Sequence, residues 1–331
     1  MYKNVLVMFL DTLSRVHFHR KFAKTIKLIE QFSKYERNPL KKNMTIFQYF
    51  KYHSINSFTD PNLKAAYYGA TVRGKGIHFA NFFKNNGYII GRVTTICEKE
   101  SVFNKKKPSS YKPAIWDHEG ISLACIKAFY QRFLITRLSC LIKKCLFGKD
   151  INQHALKYLE IFWKIYLNQN KLFLYQTLDG HEPTGELIGY FDKTLYNFLY
   201  KFYNKGYFKD TAILLFSDHG QHLSGPLYLF DSQDFFIERT LPVLLLIIPN
   251  EAKLYENNLF DKIQSNQQNF ITPFDIYDTL IHLAFGKNKK GYKKYHVSYG
   301  GSLLTKFNYK KRYCNSNIYH SQIKYCYCKK K

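Results

Sequence analysis

An acid and an imidazole stand side by side at Asp218-His219, directly after the apolar run Ala212-Ile213-Leu214-Leu215-Phe216. Asp11 follows a second apolar run, Val5 to Leu10, and His181 follows a third, Lys171 to Leu178, within Asp179-Gly180-His181-Glu182. A single Asp or His after a strand ordinarily caps or turns the chain. Four of them at the ends of three separate runs form a constellation. Carboxylate oxygens and imidazole nitrogens suit zinc and manganese and, with more oxygen ligands, magnesium or calcium. Thr59 supplies a hydroxyl that direct coordination would activate by lowering its pKa. It stands just before a helix, whose free N–H groups and dipole favour an anionic phosphoryl or sulfuryl oxygen. Taken alone, Thr59 reads as a helix cap; beside a metal constellation it reads as a nucleophile.

These residues need elements that bring them together. Val5 to Leu10, Lys171 to Leu178, Ala212 to Phe216 and Leu241 to Ile248, the last closed by Pro249, are short apolar runs of the kind buried on both faces of a sheet. Gly87 to Gly91 predicts another short strand. Helical spacing covers 20–33 (Phe22, Ile26, Ile29, Phe32), Ile77 to Asn85, Asp150 to Asn168, 186–204 and Thr272 to Phe285. Pro61 suits the first turn of a helix running to about Tyr68, with Gly69 at its end. Residues 99–112 read as a Lys- and Ser-rich surface loop. Strands alternating with helices predict one α/β domain over 1–286, a three-layer sandwich with a mostly parallel central sheet. In such sheets sites collect beyond the carboxyl ends of the strands, where Asp11, His181, Asp218 and His219 all fall. The basic, Cys- and Tyr-rich tail, 287–331, is expected to pack on the same domain.

Composition narrows the partners. Fifty Lys and Arg give a formal net charge of +26, but they are spread along the chain, and Lys, Asn, Ile, Phe and Tyr are enriched together. Those residues share A/T-rich codons, so genome composition accounts for much of the basicity. No helix-turn-helix, RNA-recognition or zinc-finger pattern accompanies it, so no specific nucleic-acid partner is expected. The field favours anionic substrates such as phosphate or sulfate esters. Seven Cys occur without a Cys-x-x-Cys pair, which argues against a structural zinc site. The Cys count and one sequon, Asn43-Met44-Thr45, are compatible with the secretory pathway. The expected place is therefore the secretory lumen, the cell exterior or a membrane surface. No apolar run reaches the roughly 18 residues of a membrane span. With the first strand starting almost at Met1, the expectation is a catalytic part of a longer protein, with any targeting or membrane-attaching segment upstream.

Val5-Leu-Val-Met-Phe-Leu-Asp11-Thr-Leu-Ser-Arg15, with Phe18 and Arg20 following, resembles the first strand of an uncharacterised eukaryotic family of sulfatase-like proteins in the alkaline phosphatase superfamily. Further segments match in the same order: Thr59-Asp-Pro61-Asn62-Leu63, Trp116-Asp117-His118-Glu119 with Cys125, and Gly180-His181-Glu182 to Gly185-Glu186. Ser217-Asp218-His219-Gly220, Glu238-Arg239 to Leu241-Pro242, Thr272 to Tyr277, and Gly301-Ser302-Leu303 through Cys326-Tyr327-Cys328 complete the set. The resemblance implies an alkaline phosphatase-like fold, divalent metal on Asp11, Asp218 and His219, and Thr59 as metal-bound nucleophile. It implies that His181 contacts the substrate or the leaving group, and it offers Glu186 as a further metal ligand. The superfamily's second acid-and-histidine pair, Asp-x-x-x-His, is not legible: Asp179, His181 and Glu186 occupy that region with other spacing, leaving one ion or two, zinc or manganese. The superfamily's distal histidine has no assigned position here.

One departure separates reaction types. Sulfatases carry Cys or Ser in a Cys/Ser-x-Pro-x-Arg setting, converted to formylglycine, whereas the aligned run here is Thr59-Asp60-Pro61-Asn62-Leu63. A β-branched Thr cannot give that aldehyde, and Leu63 replaces the Arg. A metal-bound Thr resembles phosphodiesterases and the phosphoglycerol and phosphoethanolamine transferases instead. The expectation is a metal-dependent phosphoester hydrolase or phosphoryl-group transferase with a phospho-threonine intermediate, acting on an anionic ester carried by a lipid headgroup or glycan. The alternatives are a sulfuric ester hydrolase and a catalytically inactive binder of anionic glycans or lipid headgroups. Asp117-His118-Glu119 lies in an apparent loop away from the strand ends and is expected to stabilise the fold or a rim. Cys97 with Cys125, and two of Cys314, Cys326 and Cys328, are candidate disulfide partners whose pairing the sequence leaves open.

Overall fold

The computed structural model describes residues 2–33, 44–71, 75–95, 111–112, 114–120, 145–222, 233–254, 258–286, 300–308 and 312. The expected apolar runs form the central strands β1 (Asn4–Leu10), β5 (Lys171–Thr177) and β6 (Thr211–Phe216). They are joined by β2 (Met44–Gln48), β3 (Ile89–Thr94), β4 (His118–Gly120) and β7 (Leu244–Pro249). The sheet order is β2-β7-β6-β1-β5-β3-β4. Every residue of β1, β5, β6 and β7 is buried, which requires layers on both faces of the sheet.

Alternate side chains of each strand feed two cores. Val5, Val7 and Phe9 meet Leu172, Leu174, Ala212 and Leu214 on one face. That face is covered by α3 (Thr59–Tyr68), α4 (Phe79–Asn85) and α9 (Pro273–Phe285), through Leu63, Phe83 and Leu280 among others. Leu6, Met8 and Leu10 meet Phe173, Tyr175, Ile213 and Leu215 on the other. Its cover is α1 (Arg15–Lys21), α2 (Ala23–Ser33), α5 (Ile151–Ile165) and α6 (Phe191–Asn204), through Phe18, Phe32, Trp163 and Phe202. Two shorter helices, α7 (Gln233–Thr240) and α8 (Leu259–Asn266), flank β7 in sequence. The architecture is the expected three-layer α/β sandwich.

Register sets up the site. Asn4 pairs with both Thr211 and Lys171, so β1, β5 and β6 start level; β1 and β5 end together at Leu10 and Thr177, and β6 ends one residue earlier at Phe216, opposite Phe9. The residues that follow emerge side by side. Two differences from the sequence expectation matter here. The helix expected over 20–33 is two helices: Ser14 accepts from the His17 N–H at 2.9 Å and starts α1, and the chain turns at Phe22 before α2. The strand expected from Leu241 starts at Leu244 and runs antiparallel to β6, with Leu244 opposite Phe216. A strand buried on both faces carries the same apolar pattern in either direction, so its reversal leaves no mark in the sequence. β7 consequently enters the sheet at the site end. There the Val243 N–H donates to Leu13 O at 3.1 Å, and the Ser217 N–H donates to Val243 O at 3.0 Å.

Of the tail, residues 300–308 lie against α8 and α9: Leu303 and Leu304 enter the core, and Asn266 Nδ2 donates to Leu303 O (3.1 Å) and Thr305 O (2.7 Å). Arg312 pairs with buried Asp275 at 2.7 Å. Tyr111–Lys112, the end of the expected surface loop, pairs in parallel with Gly76–Ile77. Asn43 of the sequon, residues 99–110, and Cys97, Cys125, Cys314, Cys326 and Cys328 lie outside the described residues.

Candidate active site

Asp11 and Asp218 follow neighbouring strands and are both about 1% exposed; His219 is fully buried beside them. Their ligand atoms all lie within 4.8 Å of one another. Backbone geometry holds the two turns together. Thr12 adopts a left-handed φ of 57°, unusual for a non-glycine residue, and its N–H donates to Asp218 Oδ1 at 3.2 Å. The Leu13 N–H donates to Ser217 Oγ at 2.9 Å, and that hydroxyl donates to His219 O at 3.0 Å. Gly220 is required by contact: a β-carbon there would overlap the carbonyl of Glu238, and the Gly220 N–H donates to Arg239 O at 2.9 Å. The acid-histidine turn is thereby pressed onto the end of α7.

Thr59 is the first residue of α3, with its side chain half-buried and turned toward the acids. Its Oγ1 lies 3.4 Å from Asp11 Oδ1 and 3.2 Å from His219 Nε2. His219 Nδ1 is 2.8 Å from Gly220 O, a carbonyl that can only accept, so the proton sits on Nδ1. The lone pair of Nε2 is left facing Thr59 and Asp218, the tautomer a metal-ligating histidine requires. The loop before Thr59 is fixed by Asn62, which is fully buried. Its Nδ2 donates to Asn56 O (2.7 Å) and Phe58 O (2.9 Å), while its Oδ1 accepts from the Ile55 N–H (2.8 Å).

The electrostatics of this cluster are unbalanced. Burial, and then the charge of Asp218, push the Asp11 carboxyl well above the ordinary aspartate range. Asp218 Oδ2 is buried and has no hydrogen-bond partner. Two buried carboxylates, an orphaned carboxylate oxygen and an imidazole lone pair pointing at one spot fit a divalent cation.

The third corner behaves differently. Gly180 approaches so closely that a β-carbon would overlap Asp11 O, which brings the following His181 up to the site. His181 is exposed on one side, and its ring centroid is 5.3 Å from that of His222. His222 stands in turn 4.6 Å from His219. Burial, then the neighbouring His219 and His181, lower the pKa of His222 to about 4, so it is neutral at physiological pH. His222 is the residue sequence reasoning left without a role. Its only signal was its place three residues beyond His219. Glu186 is not brought to the acids. It is exposed, and both its carboxylate oxygens lie 2.6 Å from Lys21 Nζ. Buried Glu182 points inward instead, but its oxygens are spent on Thr184 N–H (2.6 Å) and Leu187 N–H (3.1 Å), organising the turn. Asp179 accepts from Asn152 Nδ2 at 2.5 Å, at the start of α5.

Asp117-His118-Glu119, expected to be structural, is fully engaged. Asp117 pairs with Lys84 (2.7 Å) and accepts from the Ile90 N–H (2.9 Å). His118 Nε2 meets Tyr166 OH at 2.6 Å, and Glu119 accepts from Arg92 Nε at 2.7 Å. Among the described residues, Asp11, Asp218 and His219 are the group that could hold a metal ion. Among the described residues, no helix is long and apolar enough to cross a membrane.

The chain belongs to the sulfatase-like family described as "Protein of unknown function (DUF229)", which matches residues 82–331, more than half of its length. A comparison with curated proteins found no match. Similar solved structures include Ps i-CgsB in complex with k-i-k-neocarrahexaose, at 12% identity and a TM-score of 0.56, covering 92% of this chain and 76% of that one. The lipoteichoic acid synthase LtaP from Listeria monocytogenes is similar at 13% identity and a TM-score of 0.53, with 92% and 76% covered. The soluble domain of lipooligosaccharide phosphoethanolamine transferase A from Neisseria meningitidis follows at 12% identity and a TM-score of 0.50, with 86% and 88% covered. At such identities the likeness is one of fold.

Proposed function

We propose that this protein is a metal-dependent phosphoester hydrolase or phosphoryl-group transferase with Thr59 as its nucleophile. The observation that carries the reading is the position of Thr59 Oγ1, at a helix N-terminus and 3.2 Å from the free lone pair of His219, beside two buried carboxylates. Asp11, Asp218, His219 and Thr59 would hold the ion, zinc or manganese. Bound there, it would lower the pKa of the Thr59 hydroxyl and offset the charge of the phosphoryl oxygens. The chain's own part is orientation. Asp11 and His219 fix Oγ1, and the first free N–H groups of α3 face the anionic oxygens. In the first step the Thr59 hydroxyl gives its proton to solvent, the Oγ1–P bond forms as the bond to the leaving oxygen breaks, and that oxygen takes up a proton from water. His181, at the mouth, would hydrogen-bond that leaving oxygen, its imidazole held toward the neutral form by burial and by the neighbouring His219. Water or an acceptor hydroxyl then takes the phosphoryl group from Thr59.

The neighbours named as a lipoteichoic acid synthase and a phosphoethanolamine transferase support phosphoryl-group chemistry on lipid- or glycan-borne esters. Such substrates suit a place of action outside the cytosol. Sulfuric ester hydrolysis is the second reading, favoured by the sulfatase-like family and opposed by Thr59. The test is a screen of phosphodiester, phosphomonoester and sulfate ester substrates with several divalent metals, on wild type and Thr59→Ala. Phosphoester turnover that vanishes in the variant supports the reading. Equal turnover in both removes Thr59 as nucleophile, and absence of stoichiometric metal under every condition favours an inactive binder.

A further inference from the structure

Phe58 is 61% exposed, although it immediately precedes the proposed nucleophile. Single exposed aromatic residues are common on protein surfaces and need no function. Two features set this one apart. Its backbone is pinned on both sides: the Phe58 N–H donates to Asn56 Oδ1 at 3.2 Å, and its carbonyl accepts from buried Asn62 at 2.9 Å. The backbone that carries the exposed ring is therefore fixed by hydrogen bonds on both sides. Its ring also continues a row of rings. Phe58 meets His222 edge-on, with centroids 6.2 Å apart and planes at 82°, and His222 contacts both His181 and His219. The row leads from solvent to the residues around Thr59.

We propose that Phe58 is a substrate-recognition residue whose open face stacks on a ring carried by the substrate's ester group. The substrate class is then a phosphoester of a cyclic group, sugar or aryl, in preference to a small alkyl ester. An exposed apolar ring beside a polar, anion-binding site gains on burial against such a group. A methyl group at the same place covers too little of the ring to matter. The inference rests on the reading of the Thr59 site as one that binds a phosphoryl group.

The experiment measures binding of methyl-, phenyl- and cyclohexylphosphonate to the metal-loaded protein by calorimetry. Wild type is expected to bind phenylphosphonate about 5- to 10-fold more tightly than methylphosphonate, the range of one aromatic contact. The preference is expected to fall below about twofold in Phe58→Ala and to persist in Phe58→Trp. Cyclohexylphosphonate matching phenylphosphonate points to a saturated, sugar-like ring; matching methylphosphonate points to an aryl ring; either supports the proposal. No ring preference in wild type, an unchanged preference in Phe58→Ala, or no phosphonate binding at all overturns it. Phe58→Ala should melt with wild type, since the ring lies outside the core. The two readings fail separately: turnover in Thr59→Ala defeats the nucleophile, whereas equal binding of the three phosphonates by metal-loaded wild type defeats the ring contact alone.

Discussion

Asp218-His219 and Asp117-His118-Glu119 look alike as strings, yet the molecule uses them in opposite ways. The second sits on the edge strand β4 and the residue before it, where each polar group has a partner from another element: Lys84, Tyr166 and Arg92. The first follows a central strand, fully buried, with a second carboxylate beside it and an oxygen that no donor reaches. A satisfied cluster holds a fold together; an unsatisfied one is poised for something that arrives from outside. Residue type and adjacency do not distinguish the two. The accounting of partners does.

The comparison can be broken most decisively at Thr59. Thr59→Ala should lower phosphoester turnover by at least about 10³-fold, with the circular dichroism spectrum unchanged. Steady-state kinetics alongside that spectrum check it, and near-normal rates would dissolve the site. Asp218→Asn comes next. It should abolish stoichiometric metal binding, measured by atomic emission, while the metal-free variant melts no lower than wild type, because one of two mutually repelling carboxylates is gone. A lower melting temperature without metal would mean that Asp218 is structurally satisfied after all. Asp117→Ala should behave in reverse, losing about 1 kcal/mol in urea unfolding because the Ile90 N–H loses its acceptor and Lys84 keeps only Ile115 O, with metal content and kcat intact. The smallest effect is expected at Glu186, where Glu186→Ala should leave metal stoichiometry and kcat unchanged. A loss of metal there would restore it as a ligand.

The legible part of the molecule is the part that periodicity and chain direction control. Asp11, Asp218 and Thr59 stood out because an apolar run or a helix start fixes where the next residue emerges. Glu186 did not follow, since nothing in a turn's sequence says whether a side chain faces the acids or Lys21. His222 was hidden for the same reason: it lies beyond the strand, in a segment without periodicity. Asn62 read as one residue of a motif, and its function as a four-sided clamp depends on bonds to residues 55–58 that spacing cannot reveal. The break at Phe22 was masked because the apolar stripe continues across it. The reversal of β7 was invisible because full burial erases direction.

The entry of β7 at the site end has a kinetic consequence. Thr12 and Asp218 are 206 positions apart, and Ser14 and Glu238 are 224 apart. The two halves of the site thus close one of the longest loops in the chain, and they are joined by Val243, which arrives later still on the ribosome. Contacts so distant in sequence form slowly. The pocket therefore cannot assemble before β1 has met β6, and any ion it holds would be taken up only after that distant pairing has formed.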